Sequence, residues 1–487
     1  FCMNRTHRQW AGRCPATIST TVRKLLHHKW LQNTLAIVFW LCVWQAVSMA
    51  VASSLILASP LAVLKTLAGL VPTAAFWHTV CQSTARILAG FFLGLFGGLA
   101  LACLSAACAF VRVLLHPLIL TIKSVPVASF TVLALFWLSN AANLSMLISF
   151  LMVMPVVYAN TLEALLSVDA ALPEMAKVFR LGPVRTARYV YAPAAAPGVR
   201  AACRVGLGLC WKSGVAAEVI GITAGSLGEM LYNAKLLLSA PDLFAWTLVI
   251  ILLSFGFEKL FLAALGLAEQ AVCRRCPPPM RHRAAAPAAL QADGVWKSFH
   301  GNAVLCGVTQ RFAPGEAVCV MAPSGAGKTT LLRLLLGLVK PDRGSISPAG
   351  AKLSCAFQEE RLVPGLSAVG NVLLACPCTR AQAESAFGAL GFEAHTMHQP
   401  VCELSGGQQR RVSLARAMLA DSAAVLLDEP FKGLDDEAKA AAAAFVRENA
   451  AGRAVVCVTH DAADAGLLAA RTVTLSAASG GEGPMAR

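Results

Sequence analysis

The sequence predicts two joined domains of different fold class. A polytopic α-helical membrane domain is expected over residues 1–272 and an α/β domain with a largely parallel sheet over residues 290–478. Hydrophobic residues make up 57% of the 487 residues and charged residues only 14%, whereas soluble proteins are about a quarter charged. The apolar residues gather in helix-length runs in the first half of the chain. From Leu290 onward, short apolar runs alternate with helical patterns, which is typical of an α/β domain.

About six membrane spans are expected, because a run of roughly 20 apolar residues is long enough to cross a bilayer. The third run contains Pro117 and Pro126, which predict a kink or a break. The six runs lie at Leu31–Ser53, Thr84–Ala106, Val113–Leu138, Leu144–Leu165, Ala201–Ala224 and Leu243–Gly266.

The distribution of basic residues predicts how these spans are oriented. The net charge of +15 comes from Lys and Arg beside the apolar runs, and the positive-inside rule explains this better than nucleic-acid binding does. We therefore expect no nucleic-acid partner, and we expect the N-terminus and the α/β domain on the cytoplasmic side. Residues 273–289, rich in Pro, Ala and Arg, are expected to form a linker, and residues 479–487 a tail. The expected inner loops carry Arg112, Lys177, Arg180, Arg185, Arg188 and Arg200.

A glycine-rich loop between a buried strand, Ala317–Met321, and a helix predicts a phosphate site. Backbone N–H groups in such a loop point at phosphate oxygens, and the helix N-terminus adds positive partial charge. Lys328 is expected to reach the β- and γ-phosphates, and the Thr329 hydroxyl to bind Mg²⁺. The motif usually opens with Gly, and Ala322 in that place is tolerable if its φ is negative. The expected nucleotide-binding residues are Ser324, Gly325, Ala326, Gly327, Lys328, Thr329 and Thr330.

An acidic pair follows a second apolar strand, Val425–Leu427. About a hundred residues after a phosphate loop, such a pair is expected to direct Asp428 to Mg²⁺ and Glu429 to the attacking water. Strands also end in acidic pairs without any such role, but the upstream loop favours the chemical interpretation.

The sequence LSGGQQR, residues Leu404–Arg410, opens a further helix. There the hydroxyl of Ser405 and the N–H groups of Gly406 and Gly407 can bind a γ-phosphate. Between the phosphate loop and the VLLDEP strand, this motif resembles the signature of the ATP-binding cassette (ABC) family. The resemblance implies a P-loop NTPase fold with ATP and Mg²⁺ as cofactors. It also implies that Gln408 belongs to the signature and that Gln358 contacts Mg²⁺ and senses the membrane domain. Asp435 is expected at a dimer interface and His460 at the γ-phosphate, and Phe299 is expected to stack on adenine.

In the ABC family each ATP lies between the phosphate loop of one subunit and the signature of another. This chain contains one copy of each motif. The resemblance therefore implies a partner subunit, most simply a second copy of the same chain.

The membrane half also resembles a family, because Glu174 to Gly182, followed by Pro193 and Pro197, is similar to the cytoplasmic EAA loop of binding-protein-dependent importers. The loop, near residues 174–197, is expected to dock on the ATPase through Glu174, Ala176, Arg180 and Gly182. The family glycine usually stands where this chain has Arg180.

More broadly, residues from about Ser59 to Gly266 resemble the permeases of nitrate, sulfonate and taurine importers. This implies a type I importer-like domain in a prokaryotic cytoplasmic (inner) membrane, contacting lipid and an extracytoplasmic solute-binding protein. A thiamine-precursor pyrimidine is an alternative solute. An exporter half-transporter and a membrane-anchored ATPase that regulates or senses are alternative functions.

Three charged residues inside the apolar runs are candidates for the transport pathway, because intramembrane charges are costly and usually functional or paired. They are Lys123, Lys212 and Glu218. A lysine that extends its ammonium group to the membrane interface is an equally good interpretation of Lys123.

Overall fold

The computed structural model describes residues 29–51, 56–138, 141–273, 276–280, 285–323 and 325–475. By internal contacts the chain divides into two compact units that do not follow chain order. The first unit comprises Phe1–Gly97, His116–Pro155 and Val205–Lys259, and the second comprises Gly98–Leu115, Val156–Arg204 and Leu260–Arg487.

The first part of the described chain is helical throughout. Its α-helices are α1 Lys29–Val51, α2 Pro60–Leu70, α3 Ala74–Ala107, α4 Ala109–Ser124, α5 Val127–Trp137, α6 Leu144–Leu166, α7 Ala171–Val178, α8 Pro183–Thr186, α9 Ala192–Gly221, α10 Leu227–Leu236 and α11 Ala240–Cys273.

Among the described residues, four helices are long and apolar enough to cross a membrane: α1, α3, α6 and α11. The pair α4 and α5 makes a fifth candidate, bent by 105°. This bend confirms the break predicted at Pro126. Pro117 instead lies inside α4, where its carbonyl accepts a hydrogen bond from the Thr121 hydroxyl at 2.9 Å.

The predicted span Ala201–Ala224 falls on α9, which has 30 residues but is not among the helices apolar enough to count as a span. The physical reason is its charge, because it carries Arg200, Arg204, Lys212 and Glu218. The total of six spans therefore stays a prediction. The first predicted span also includes Ala52 and Ser53, which lie outside the described residues.

Glycines bring α3 and α6 into close contact within the first unit. A Cβ atom placed on Gly90 would lie 2.3 Å from the carbonyl oxygen of Met146, and one on Gly94 would lie 2.9 Å from the Cβ of Val153. Small residues allow such close approach of helix backbones, and packing of this kind holds helices together where lipid removes the hydrophobic drive between them.

The second part of the chain has the expected α/β architecture. Its strands are β1 Leu290–Phe299, β2 Asn302–Phe312, β3 Ala317–Met321, β4 Arg343–Ser347, β5 Leu353–Ala356, β6 Ala424–Asp428, β7 Ala454–Thr459 and β8 Arg471–Thr474. Its α-helices are α12 Lys328–Leu335, α13 Ala368–Ala375, α14 Arg380–Ala389, α15 Gly406–Leu419, α16 Asp436–Glu448 and α17 Ala462–Leu467.

A five-stranded parallel sheet, ordered β5-β6-β7-β3-β8, forms the centre of this region, beside an antiparallel sheet ordered β2-β1-β4. Strands β3, β6 and β7 are buried along most of their length, as the apolar runs predicted. Met321 is opposite Thr459, and Asp428 is opposite Val458. The carboxyl ends of these strands therefore share one edge of the sheet, which is where ligands bind in open α/β sheets.

The close approach of α3 and α6 gives a stability prediction. Changing Gly90 to Ala places a methyl group against the fixed Met146 backbone, so we expect a loss of about 1–3 kcal/mol of unfolding free energy. Thermal unfolding of the purified protein in detergent measures it. Gly97→Ala, in the same helix with its nearest neighbour at 3.6 Å, is the control. Equal melting temperatures for the two variants would contradict the packing argument.

Candidate active site and coupling helix

The glycine-rich loop after β3 adopts a conformation that needs glycine. Gly325 and Gly327 have φ of 84° and 85°, a left-handed region that favours glycine. A Cβ on Gly327 would lie 2.7 Å from the Leu305 side chain. Ala322 is not in this region, so its methyl group is tolerated as the sequence suggested. Ser324 lies outside the described residues.

A cavity of about 600 Å³ lies at the carboxyl edge of the parallel sheet. It brings together segments that are far apart in the sequence: the glycine-rich loop, the glutamine loop (residues 356–361) and the ends of β6 and β7. Its lining residues are Val304, Gly325, Gly327, Lys328, Thr329, Thr330, Gln358, Glu429, Lys432 and His460.

Asp428 is buried at the end of β6, where the Thr329 hydroxyl donates a hydrogen bond to its carboxylate. Burial, followed by repulsion from Glu429, raises the pKa of Asp428 to about 6. A cation would relieve the cost of a charged carboxylate there. Mg²⁺ prefers oxygen ligands, and Asp428, Thr329 and the nearby Gln358 offer them, so these residues fit that ion.

Glu429 is held from several sides. Its backbone has φ of 46°, unusual for a residue other than glycine. Its carboxylate lies 2.9 Å from the ammonium of Lys432 and 3.2 Å from Nδ1 of His460. Although burial alone would raise the pKa of Glu429, the hydrogen bonds and charges of Lys432 and His460 bring it below its ordinary value. The carboxylate is therefore anionic at neutral pH.

Lys432 was not among the residues singled out from the sequence. The available signal was its position three residues after Glu429, which suits an ion pair across one turn.

The signature motif lies elsewhere on the chain. Ser405 caps α15 by accepting a hydrogen bond from the N–H of Gln408 at 3.3 Å, and the Gln408 side chain bonds back to the N–H of Ser405. Asp435 caps α16 by accepting a hydrogen bond from the N–H of Ala438 at 2.8 Å, and Phe299 is exposed at the end of β1. Among the described residues that line the cavity, none belongs to Ser405–Gln408, and neither Asp435 nor Phe299 is present.

Comparison with known proteins agrees with this geometry. The family described as "ABC transporter" matches residues 305–432. The aliphatic sulfonates import ATP-binding protein SsuB 1 of Streptomyces avermitilis is 41% identical over 195 residues, which cover 39% of this chain and 74% of that protein. The chain belongs to the ABC transporter family. The protein of the same name from Nocardia farcinica is 38% identical over 194 residues, which cover 39% of this chain and 78% of that protein.

The membrane half matches a second family, described as "Binding-protein-dependent transport system inner membrane component", over residues 90–269. The chain is thus an importer-type permease fused to an ATP-binding cassette that hydrolyses ATP in transport. A macrolide export ATP-binding/permease protein, MacB of Chromobacterium violaceum, is also 37% identical over 204 residues, covering 36% of this chain and 32% of that protein. Because the cassette resembles import and export proteins alike, the direction of transport is assigned from the permease match.

In this ABC transporter, α7 docks on the cassette within the second unit. The two carboxylate oxygens of Glu174 bind different arginines: Oε1 lies 2.6 Å from Arg333 on α12, and Oε2 lies 2.8 Å from Arg361 in the glutamine loop. Met175 and Phe179 are buried in the same hydrophobic core as the cassette strands, and Ala176 is buried with them. We call α7 the coupling helix.

At Arg180, where the resemblance to the EAA loop implies glycine, φ is 52°. The backbone therefore keeps the left-handed conformation that glycine adopts easily. The Arg180 guanidinium donates a hydrogen bond to the carbonyl of Gly350 in the cassette. Gly182 has φ of −62° and does not need to be glycine.

Arg185, which lies in an expected inner loop, also joins segments of the second unit. It donates hydrogen bonds to the carbonyls of Leu374 at 3.0 Å, Pro278 at 2.7 Å and Pro279 at 3.1 Å. It therefore holds Pro278 and Pro279, which lie in the expected linker, against α8.

The three pathway candidates have different surroundings. Lys123 and Lys212 have exposed side chains. Glu218 is fully buried and accepts hydrogen bonds from the Ser83 hydroxyl at 2.9 Å and from the Gly228 N–H, at the start of α10, at 3.2 Å. A role for any of them in transport stays a prediction.

The buried Asp428 gives a pH-dependent prediction. Its native pKa of about 6 lies above the unfolded value of about 3.9. The native state therefore binds more protons between these pH values, and unfolding free energy falls as pH rises through the window. Asp428→Asn removes this cost, so without nucleotide or Mg²⁺ we expect it to be more stable than the parent at pH 7.5, by on the order of 2–3 kcal/mol.

At pH 5 the parent carboxyl is mostly protonated, so the difference between Asp428→Asn and the parent should shrink. Thermal unfolding at both pH values measures it, with Asp436→Asn on the exposed first turn of α16 as the control. A pH-independent difference would argue against a raised pKa at Asp428.

The docking of Glu174 gives a second prediction. Glu174→Gln and Arg361→Gln should each lower the melting temperature. The double variant should lose less unfolding free energy than the sum of the losses in the two single variants, because each single change leaves the other group without its partner. We expect an interaction energy of about 1–2 kcal/mol in this double-mutant cycle. Glu163→Gln, an exposed carboxylate on α6, should be additive with Arg361→Gln.

Proposed function

We propose that this chain is half of a homodimeric ATP-driven importer, which receives a small anionic or polar solute from a separate binding protein. The observation that carries the proposal is the separation of the signature motif from the phosphate-loop cavity on one chain. A second copy could supply Ser405 to Gln408 across an interface, at the N-terminus of α15. The orientation, with the N-terminus and the cassette in the cytoplasm, follows from the basic inner loops.

In this proposal, Lys328 and the N–H groups of the glycine-rich loop bind the β- and γ-phosphates. Asp428, Thr329 and Gln358 would hold Mg²⁺, which when bound supplies positive charge to the phosphate oxygens. Phe299 would stack on adenine after a local rearrangement, since it does not line the cavity in this structure.

Glu429 acts as the base that accepts a proton from the attacking water. Its anionic state suits that role, and its carboxylate is held by His460 and Lys432. Base and phosphate-binding groups line one cavity, so the water and the γ-phosphate can be held close together, which is the larger part of catalysis in phosphoryl transfer.

Hydrolysis would be linked to transport through Glu174. Its two arginine partners lie on the helix that follows the phosphate loop and in the glutamine loop. A displacement of either element when two cassettes close would therefore move the coupling helix.

The solute we propose is a sulfonate or a similar small anion. Both sulfonate import ATP-binding proteins are cassettes, and they support this choice together with the importer-type permease match. A thiamine-precursor pyrimidine and nitrate remain alternatives that the transport assay separates.

The proposed base gives a direct test. Glu429→Gln keeps the size of the side chain but cannot accept the proton, so we expect it to bind ATP and to lose about 10²–10⁴-fold in hydrolysis rate. The ATP-bound variant should run as a dimer in size-exclusion chromatography. Glu437→Gln, an exposed carboxylate on α16, is the control. Normal turnover by Glu429→Gln would contradict the assignment.

Uptake into proteoliposomes separates the proposed functions. With a binding protein and internal ATP, an importer accumulates the solute that the binding protein carries, tested with taurine, an alkanesulfonate, nitrate and an aminopyrimidine. ATP-driven loss of solute from the cytoplasmic side would identify an exporter, and ATP hydrolysis without transport would favour a regulatory ATPase.

A further inference from the structure

We propose that Arg410, the last residue of the signature motif, is a positioning residue that links the glutamine loop to Glu429. Through this link, the coupling helix would act on the hydrolytic site of the same chain. The inference rests on the proposed role of Glu429 as the base.

Arg410 bonds to two different segments. One of its terminal nitrogens lies 2.9 Å from the Glu360 carboxylate, and the other donates a hydrogen bond to the backbone carbonyl of Glu429 at 3.1 Å. Its side chain is only 12% exposed, so water weakens these bonds little. The planar guanidinium holds both acceptors in fixed directions, which a lysine ammonium cannot do.

The Glu429 end of this link is a backbone that needs support. With φ of 46°, Glu429 has a conformation that persists only where surrounding contacts impose it, and such residues concentrate at functional sites. Its N–H donates to the carbonyl of Val458 at 2.8 Å, and its carbonyl accepts from Arg410. Arg410 is therefore one of the contacts that set the direction of the Glu429 side chain.

The Glu360 end continues to the coupling helix. Arg361, the next residue, also has a positive φ and binds Glu174. The carbonyls of Glu360 and Arg361 both accept hydrogen bonds from Arg416, at 2.9 and 2.8 Å.

Arg416 is fully buried, and its guanidinium lies 5.0 Å from the centre of the Phe179 ring, immediately after the coupling helix. A series of contacts thus runs from Glu174 to Arg361, along the backbone to Glu360, and through Arg410 to the carbonyl of Glu429.

The neighbouring arginine, Arg411, does not make the contacts with Glu360 and Glu429 that Arg410 makes. Arg411 donates a hydrogen bond to the carbonyl of Leu390 and lies 4.9 Å from the centre of the Phe392 ring. Both partners are away from the cavity residues. Arg411 therefore provides a control of the same residue type on the same helix.

The link should affect turnover more than ATP binding, because among the described residues the hydrogen bonds and the ion pair of Arg410 go to Glu360 and Glu429, and neither Lys328 nor the described part of the glycine-rich loop is a partner. In Arg410→Ala we expect kcat for ATP hydrolysis to fall at least about tenfold. KM for ATP and the affinity for a fluorescent nucleotide should change less than about twofold. Arg410→Lys and Glu360→Gln should be intermediate, and Arg411→Ala should resemble the parent.

A combination with Glu174→Gln tests the relay, by which we mean the proposed link from the coupling helix through Arg410 to Glu429. If the coupling helix acts on Glu429 through Arg410, Glu174→Gln should lower kcat in the parent and in Arg411→Ala, and should have little further effect in Arg410→Ala. Equal, independent losses in both backgrounds would overturn the relay. A loss of nucleotide affinity parallel to the loss of kcat would also overturn it, because this indicates general unfolding. If Arg410→Ala does not fold, Arg410→Lys and Glu360→Gln carry the same comparison.

Glu429→Gln distinguishes the two proposals. If that variant turns over normally, the assignment of the base fails and the relay fails with it. If it is inactive while Arg410→Ala and Glu360→Gln hydrolyse ATP like Arg411→Ala, the base assignment stands and the relay alone is wrong.

Discussion

The carboxylate of Glu174, shared between Arg333 and Arg361, is the interaction that joins the coupling helix to both cassette elements beside the nucleotide cavity. It lies 2.6 Å from one arginine and 2.8 Å from the other. Exposed ion pairs usually contribute little to stability, but this carboxylate binds two separate cassette elements that both lead to the nucleotide cavity. Its importance is therefore geometric: it requires the phosphate-loop helix and the glutamine loop to keep one separation while the coupling helix is docked.

At the nucleotide cavity, electrostatics and backbone geometry act together. Asp428 is buried at a cost that a bound cation would offset, while Glu429 beside it is kept anionic by Lys432 and His460. Two adjacent carboxyl groups thus have pKa values shifted in opposite directions. Such separation is how neighbouring acids take different chemical roles.

Much of this arrangement was predictable from the sequence because it depends on local rules. The strand at Ala317–Met321, the helix after the glycine-rich loop and the break at Pro126 follow from apolar periodicity and backbone restrictions, and the structure has them. The span expected at Ala201–Ala224 stays a prediction, because α9 is helical but its charged residues make it too polar to count as a spanning helix by hydropathy.

The contacts of Arg185 and Arg410 were not predictable in the same way. Arg185 and Arg410 bind backbone carbonyls or carboxylates distant in sequence, and a guanidinium gives no sign in the sequence of where its acceptor will be. Arg180 is intermediate: the resemblance to the EAA loop implies glycine at this position, but only the φ of 52° shows that the backbone adopts a conformation that glycine favours.

Fusion changes the physical task of the coupling helix. In a transporter assembled from separate chains, the docking surface must supply the free energy of association. Here the coupling helix and the cassette belong to one polypeptide, so the contact between them forms at a high effective concentration. The contacts of Glu174 and Arg180 then need little affinity of their own and can break and re-form during each cycle without loss of the subunit. The permease also cannot exchange its cassette for that of another transporter, so these contacts are free to diverge from any shared pattern.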